Sequence, residues 1–135
     1  MRNTAQNWFE GLRNSLVQMI ENHDGAKFKL KQWKHSGKGG GTMSVIKGNV
    51  IEKGGVNIST VSGEFSDKMR SRIPGTEESA KYWATGISVV IHPFSPLIPS
   101  MHCNSRYLKT SKSWFGGGVD TVSYTHLTLP TTVIV

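Results

Sequence analysis

The sequence predicts an α+β fold of antiparallel strands with a helix packed on one face. Two patterns carry that prediction. A single apolar stripe at helical spacing lies near the N-terminus, and after it come short segments that alternate with period two between Gly- and Pro-rich turns. A length of 135 residues fits one domain and is too short for two ordinary ones. A chain of that size buries roughly two thirds of its unfolded surface, enough for a real core.

The helix is expected over residues 4–22, where Trp8, Phe9, Leu12, Leu16, Met19 and Ile20 form the stripe. Asn3 or Thr4 is the expected N-cap, and Asp24-Gly25 ends the helix with glycine beyond the last turn. A strand over 28–34 places Phe28, Leu30 and Gln32 on one face, with Lys29, Lys31 and Trp33 on a lysine-rich solvent face. The run HSGKGGG at 35–41 reads as a loop. Strands follow at 42–47 and 50–61, joined by Lys47-Gly48-Asn49, and Gly54-Gly55 points to a bulge in the second. Residues 63–80 are polar, contain Pro74-Gly75, and read as a long loop or lid with at most a short helix. A strand at 82–92, a stiff connection through Pro93, Pro96 and Pro99, a return strand at 101–108 and a further strand beginning at 112–115 complete the order.

Composition narrows the class. Sixteen Lys+Arg against nine Asp+Glu give a net charge of +7. No window approaches the ~18 apolar residues of a membrane span. Frequent glycine and the lack of heptads exclude a coiled coil, and the single Cys103 excludes a disulfide scaffold. Residues 1–25 contain no apolar core of a secretory signal, which with one cysteine fits a cytoplasmic location. The basic balance leaves three partners open: nucleic acid, an acidic membrane surface or an anionic small substrate.

The C-terminus departs from the rest. After Asp120 there is no Lys, Arg, Asp or Glu, and VSYTHLTLPTTVIV resembles the translated read-through of a sequencing-library adapter. The natural sequence is expected to stop near Asp120, dividing the chain into a domain portion, 1–120, and a non-native tail, 121–135.

Alternation gathers the chemistry. Ser88, Val90 and His92 share one strand face, as do His102, Asn104 and Arg106; Met101, Cys103, Ser105 and Tyr107 take the opposite one. An antiparallel hairpin of 82–92 with 101–108 would bring Ser88, His92, His102, Asn104 and Arg106 onto one polar surface, either a site or a solvated outer face. In WFGGGVD, the glycines permit a close backbone approach to a ligand or a tight reversal, and Asp120 follows directly.

The segments GGGTMSVIKGNVIEKGGVNISTVSGEF, ATGISVVIHPFSPLIPSMHCNSRY and WFGGGVD resemble, in order and spacing, the oxygen-dependent coproporphyrinogen III oxidase family over about residues 8–120. The resemblance implies a large antiparallel sheet flanked by helices, of which this chain holds an incomplete part. It implies a homodimer that decarboxylates two propionates of coproporphyrinogen III to vinyl groups in haem biosynthesis. Molecular oxygen is the co-substrate and no redox cofactor is required. Ser88 matches a substrate-contacting serine, and Asn104, Ser105 and Arg106 match a substrate-binding segment. His92 and His102 match two histidines treated as ligands of a divalent metal, the second also as a proton donor, and Asp120 matches the aspartate of WFGGG-D.

The residue types suit a tetracarboxylate macrocycle with pyrrole N–H groups. Arg106 can grip a propionate bidentately, Asp120 can accept pyrrole N–H bonds and stabilise developing positive charge, and His102 can move a proton. The two histidines and Asp120 could hold a metal or merely hydrogen-bond. Cys103 reads as a buried small hydrophobe. Two other readings stand beside the oxidase. One is a single-strand nucleic-acid-binding module, since residues 27–53 carry seven lysines interleaved with Phe28 and Trp33. The other is a non-catalytic remnant, because the family's later histidines and C-terminal substrate segment are absent; the fragment alone is expected to be inactive.

Overall fold

The computed structural model describes residues 1–35, 37–122 and 132–134. A long helix, α1 (Arg2–Asp24), precedes β1 (Lys29–Lys34), β2 (Lys38–Ile46) and β3 (Ile51–Glu64). A four-residue helix, α2 (Asp67–Arg70), follows, and then β4 (Lys81–Pro93), β5 (Ser100–Lys109), β6 (Ser113–Val122) and the short β7 (Thr132–Ile134). The strands form one sheet in chain order, β1 to β7, with every neighbouring pair antiparallel.

α1 lies across β3 and β4 on one face. Its Ala5, Phe9 and Ile20 are buried against Ile46, Ile51, Val56, Ile87, Val89 and Tyr107, with Leu12, Leu16 and Val17 packed at the margin. Side chains of the size of Phe9 or Val89 contribute about 1.5–3 kcal/mol each when fully buried. The stripe differs from the sequence expectation at two positions: Trp8 is 61% and Met19 49% exposed. The residues facing the sheet run at steps of three and four through Ala5, Phe9, Leu12, Leu16 and Ile20, and both outliers sit one residue off that line. The helix also starts earlier than expected, at Arg2, without a side-chain cap from Asn3 or Thr4.

The end of α1 is fastened to the sheet. Gly25 takes the left-handed conformation at φ 88°, and its N–H returns to the Glu21 carbonyl. The buried Asp24 carboxylate accepts the backbone N–H groups of Asn49, Val50 and Ile51 at 2.8, 2.9 and 2.8 Å, and that of Ala26 at 3.2 Å. Asn49 Nδ2 in turn donates to the Asp24 carbonyl at 3.1 Å. These bonds hold the Asp24 carboxyl down at about 2, with the Ile51 N–H the largest cause. Gly48 is required here, since a Cβ would fall 2.1 Å from Asp24 Oδ1.

Four expectations are corrected. The HSGKGGG run is not all loop, because β2 begins at Lys38 and its glycines pair with both β1 and β3. Gly40 and Gly41 lie so close to the Trp33 and Ile58 carbonyls that a Cβ would not fit, so glycine lets three strands approach where composition alone reads as a breaker. The irregularity in β3 falls between Ile51 and Lys53, not at Gly54-Gly55; Gly54 packs under Ile46, Ile51 and Ile91 instead. WFGGGVD is neither a reversal nor a turn but the body of β6. β1, expected to be half-buried, is exposed on both faces except at Trp33, and Leu30 is 66% exposed, because α1 does not reach the sheet edge.

Of the expected non-native tail, Thr121 and Val122 continue β6 opposite Met101 and Ser100, and the backbone of Thr132–Ile134 pairs with Gly117–Val119. Its other residues lie outside the described ones.

Candidate active site

Strand register assembles the site. Between β4 and β5, Gly86 stands opposite Arg106, Ser88 opposite Asn104 and Val90 opposite His102. Between β5 and β6, Arg106 stands opposite Gly116, Asn104 opposite Gly118 and His102 opposite Asp120. Residues directly opposite in an antiparallel pair share a face. Ser88, His102, Asn104, Arg106 and Asp120 therefore meet on the face away from α1. His92 joins them from the end of β4.

The two histidines are in contact. Their Nε2 atoms are 2.9 Å apart, and the rings lie 13° from parallel with centroids separated by 5.1 Å. On its other side, His102 Nδ1 is 3.5 Å from Asp120 Oδ1. That oxygen is sheltered from solvent and accepts no hydrogen bond from the described residues, a costly condition that a ligand N–H would relieve. Between the two Nε2 atoms, one ring donates and the other accepts, and which does so depends on the tautomer. The hydrogen bond of the pair thus runs between the two Nε2 atoms, and Asp120 lies beside His102 without being bonded to it.

For the expected metal, the same geometry gathers two nitrogen donors, His92 and His102, and no third among the described residues. A catalytic centre needs three protein donors around one point, with nitrogen at about 2.0–2.1 Å. Here the two Nε2 atoms lie within hydrogen-bond distance of each other, and the carboxylate sits beside the Nδ1 of His102 instead of with them. Among the described residues, no group of three or more His, Cys, Asp or Glu is gathered as a cation site.

Ser105 does not join the group. It stands opposite Ile87 on β4 and alternates to the helix-facing side with Cys103 and Tyr107. Cys103 packs against the core there but is half-buried, not buried as expected, and its partial burial pushes its thiol up.

The face opens into a cleft of about 1030 Å³, floored by Ser88, His102, Asn104, Arg106 and Asp120. Its other wall comes from residues 65–80, through Phe65, Met69, Arg72, Ile73 and Pro74. These wall residues escaped the sequence reading. Its only signal for them was the expectation of a lid over 63–80. A second hollow of about 550 Å³ adjoins it over Trp33, Met43 and Asn57, and the two share Ser88, Asn104 and Arg106. Asn57, in the VNIS segment of β3, was also missed. Its Oδ1 accepts the Ser44 N–H at 3.2 Å, and it stands beside Ser88 in the ladder.

Comparison with known proteins adds the lineage of this face. Residues 4–128 match the family described as coproporphyrinogen III oxidase. The chain is 54% identical over 126 residues to the oxygen-dependent coproporphyrinogen-III oxidase of Rickettsia felis, covering 86% of this chain and 45% of that one. It is 53% identical over 126 residues to the same-named protein of Rickettsia akari, again covering 86% of this chain and 45% of that one. For that of Rickettsia bellii the identity is 50% over 129 residues, covering 88% of this chain and 46% of the relative. The chain spans about half the length of the curated relatives it matches. Nothing in these relatives supports the nucleic-acid reading of the lysines on β1 and its neighbours.

Proposed function

The chain belongs to the coproporphyrinogen III oxidase family, and from that premise we propose that its open sheet face is the substrate-binding face of an oxygen-dependent coproporphyrinogen III oxidase. One observation carries the reading: Arg106, Asp120 and His102, with His92 against it, meet at a single cleft large enough for a macrocycle. Arg106 grips a propionate, since its planar fork matches a carboxylate. Asp120 faces the pyrrole N–H groups with an oxygen that lacks a donor of its own, and its charge stabilises the cation that grows as the ring is oxidised. His102 exchanges a proton at Nε2, with His92 behind it. Ser88 and Asn104 offer hydrogen bonds between the two charged groups.

For each vinyl group formed, a propionate loses carbon dioxide, one proton from the carbon next to the pyrrole, and two electrons. Molecular oxygen takes the two electrons with that proton and a second one from solvent, leaving as hydrogen peroxide. The remnant reading differs only in the absence of turnover, and we place the protein's work in the cytoplasm, as a homodimer, on the strength of the family resemblance.

The test is steady-state kinetics under air, in a chimaera that joins this chain to the C-terminal portion of one of those relatives. Asp120→Ala should lower kcat by roughly 10²-fold or more with little change in KM, because its interaction strengthens only as charge develops. Arg106→Ala should chiefly raise KM, because its contact is present before and during reaction. An Asp120→Ala variant that kept kcat and changed only KM would reduce Asp120 to a positioning group. A chimaera inert toward coproporphyrinogen III would end the reading.

A further inference from the structure

The substrate class carries four carboxylates, and the sheet supplies one arginine. A second faces the same cleft from the opposite wall. Residues 65–80 form a strap that is closed at its neck, where the Phe65 N–H donates to the Ala80 carbonyl at 2.9 Å and Phe65 stacks on Tyr82 with centroids 4.3 Å apart. At its far end the strap is tied to the β5–β6 turn. The Pro74 carbonyl accepts Thr110 Oγ1 at 2.7 Å, and the Gly75 carbonyl accepts Ser111 Oγ at 2.8 Å and its N–H at 3.2 Å. Gly75 is at φ 82° and leaves no room for a Cβ beside Thr110 Oγ1. The strap is therefore a braced wall, not a free loop.

Its two arginines have different occupations. Arg70 is committed to the brace, donating from Nε and Nη2 to the Thr76 carbonyl at 3.0 and 2.8 Å. Arg72 makes no side-chain hydrogen bond or ion pair with the described residues, is exposed, and lines the cleft shared with Arg106. The ionisable side chains facing this space are then Arg72, Arg106, His102 and Asp120, with the thiol of Cys103 turned to the core. Two permanent cations on opposed walls suit a ligand with carboxylates at its rim and N–H groups at its centre.

We propose that Arg72 is a second carboxylate anchor, holding one propionate of the macrocycle from the strap while Arg106 holds another from the sheet. The assignment rests on the functional reading above and adds to it a specific residue on an element outside the sheet.

Binding tests it without turnover. The present chain is titrated with coproporphyrin III, the stable oxidised form that keeps all four propionates, and quenching of tryptophan fluorescence is followed, Trp114 being in the cleft wall. Arg72→Gln should raise Kd about tenfold, the effect of one lost charged contact. Arg72→Lys should recover part of the loss, since an ammonium keeps the charge without the fork. The tetramethyl ester, which keeps the macrocycle and lacks the charges, should bind wild type and Arg72→Gln alike. Tm should not move, because the guanidinium has no partner among the described residues. If Arg106→Gln weakens binding and Arg72→Gln does not, the strap assignment falls and the functional reading stands. If wild type fails to bind coproporphyrin III, both fall.

Discussion

Arg106 owes its room to its neighbours. Gly86 on β4 and Gly116 on β6 flank it across the two ladders, so no side chain crowds it from either side. A Cβ at Gly86 would lie 2.9 Å from the Arg106 Cβ and 2.7 Å from the Ser105 carbonyl oxygen. Gly86→Ala should therefore displace Arg106, raising the Kd for coproporphyrin III several-fold and lowering Tm by several degrees; fluorescence titration and thermal melts measure the two effects. A variant that melts and binds as wild type would show that the ladder yields more easily than these distances imply. Alternation alone exposed the common face of Ser88, His92, His102, Asn104 and Arg106 in the sequence. It could not reveal that Gly86 guards Arg106 or that two histidine nitrogens touch, since both depend on how far one strand slides along the next. Ser105 shows the converse: motif proximity grouped it with Asn104 and Arg106, and alternation turns it away.

Among the elements, the junction of α1 with the β2–β3 turn depends on a carboxylate in an unfavourable place. Asp24 sits at the C-terminal end of a helix, where the dipole disfavours negative charge. Its bonds to the N–H groups of Asn49, Val50 and Ile51 more than offset this, and its carboxyl is lowered from 3.8 to about 2. The folded pKa lies below the unfolded one, so the unfolded chain binds more protons between the two values. The stabilisation is fully present above about 4 and is lost as pH falls toward 2. Asp24→Asn should lower Tm by several degrees at neutral pH, and the gap between variant and wild type should close as pH falls toward 2 in thermal melts. A gap that stayed constant with pH would show that the charge itself contributes nothing. Asp24-Gly25 was legible as a helix stop. The clip was not, because its partners lie 25 to 27 residues further along the chain. The glycine run of β2 failed for a related reason: composition reports what a segment prefers alone, and two flanking strands overrode it.

At the scale of the whole molecule, one helix covers only the middle of a seven-stranded sheet. On the helix side Phe115 and Val119 of β6 stay 54% and 51% exposed. Apolar surface of this kind promotes association. Val119→Lys should increase the monomeric fraction in size-exclusion chromatography and shift Tm by no more than about 2 °C, as is usual for an exposed position. A large fall in Tm would mean that Val119 is packed more tightly than its exposure indicates. The α+β class and the pairing of 82–92 with 101–108 were readable because those strands carry their own alternation and a proline-rich connection; the reach of α1 was not, since it depends on where the helix lands. The uninterrupted order of the sheet also has a kinetic consequence. Each strand pairs with the segment made just before it, and closing a loop costs entropy that rises only with the logarithm of its length. The sheet can grow hairpin by hairpin as the chain leaves the ribosome, with α1 and β1–β3 ready to pair first. The face bearing Ser88, Arg106 and His102 forms only when β4 and β5 arrive, and Asp120 reaches His102 only once β6 has docked. Chemistry is thus the last property this part of the molecule acquires during synthesis, after the core beneath it has closed.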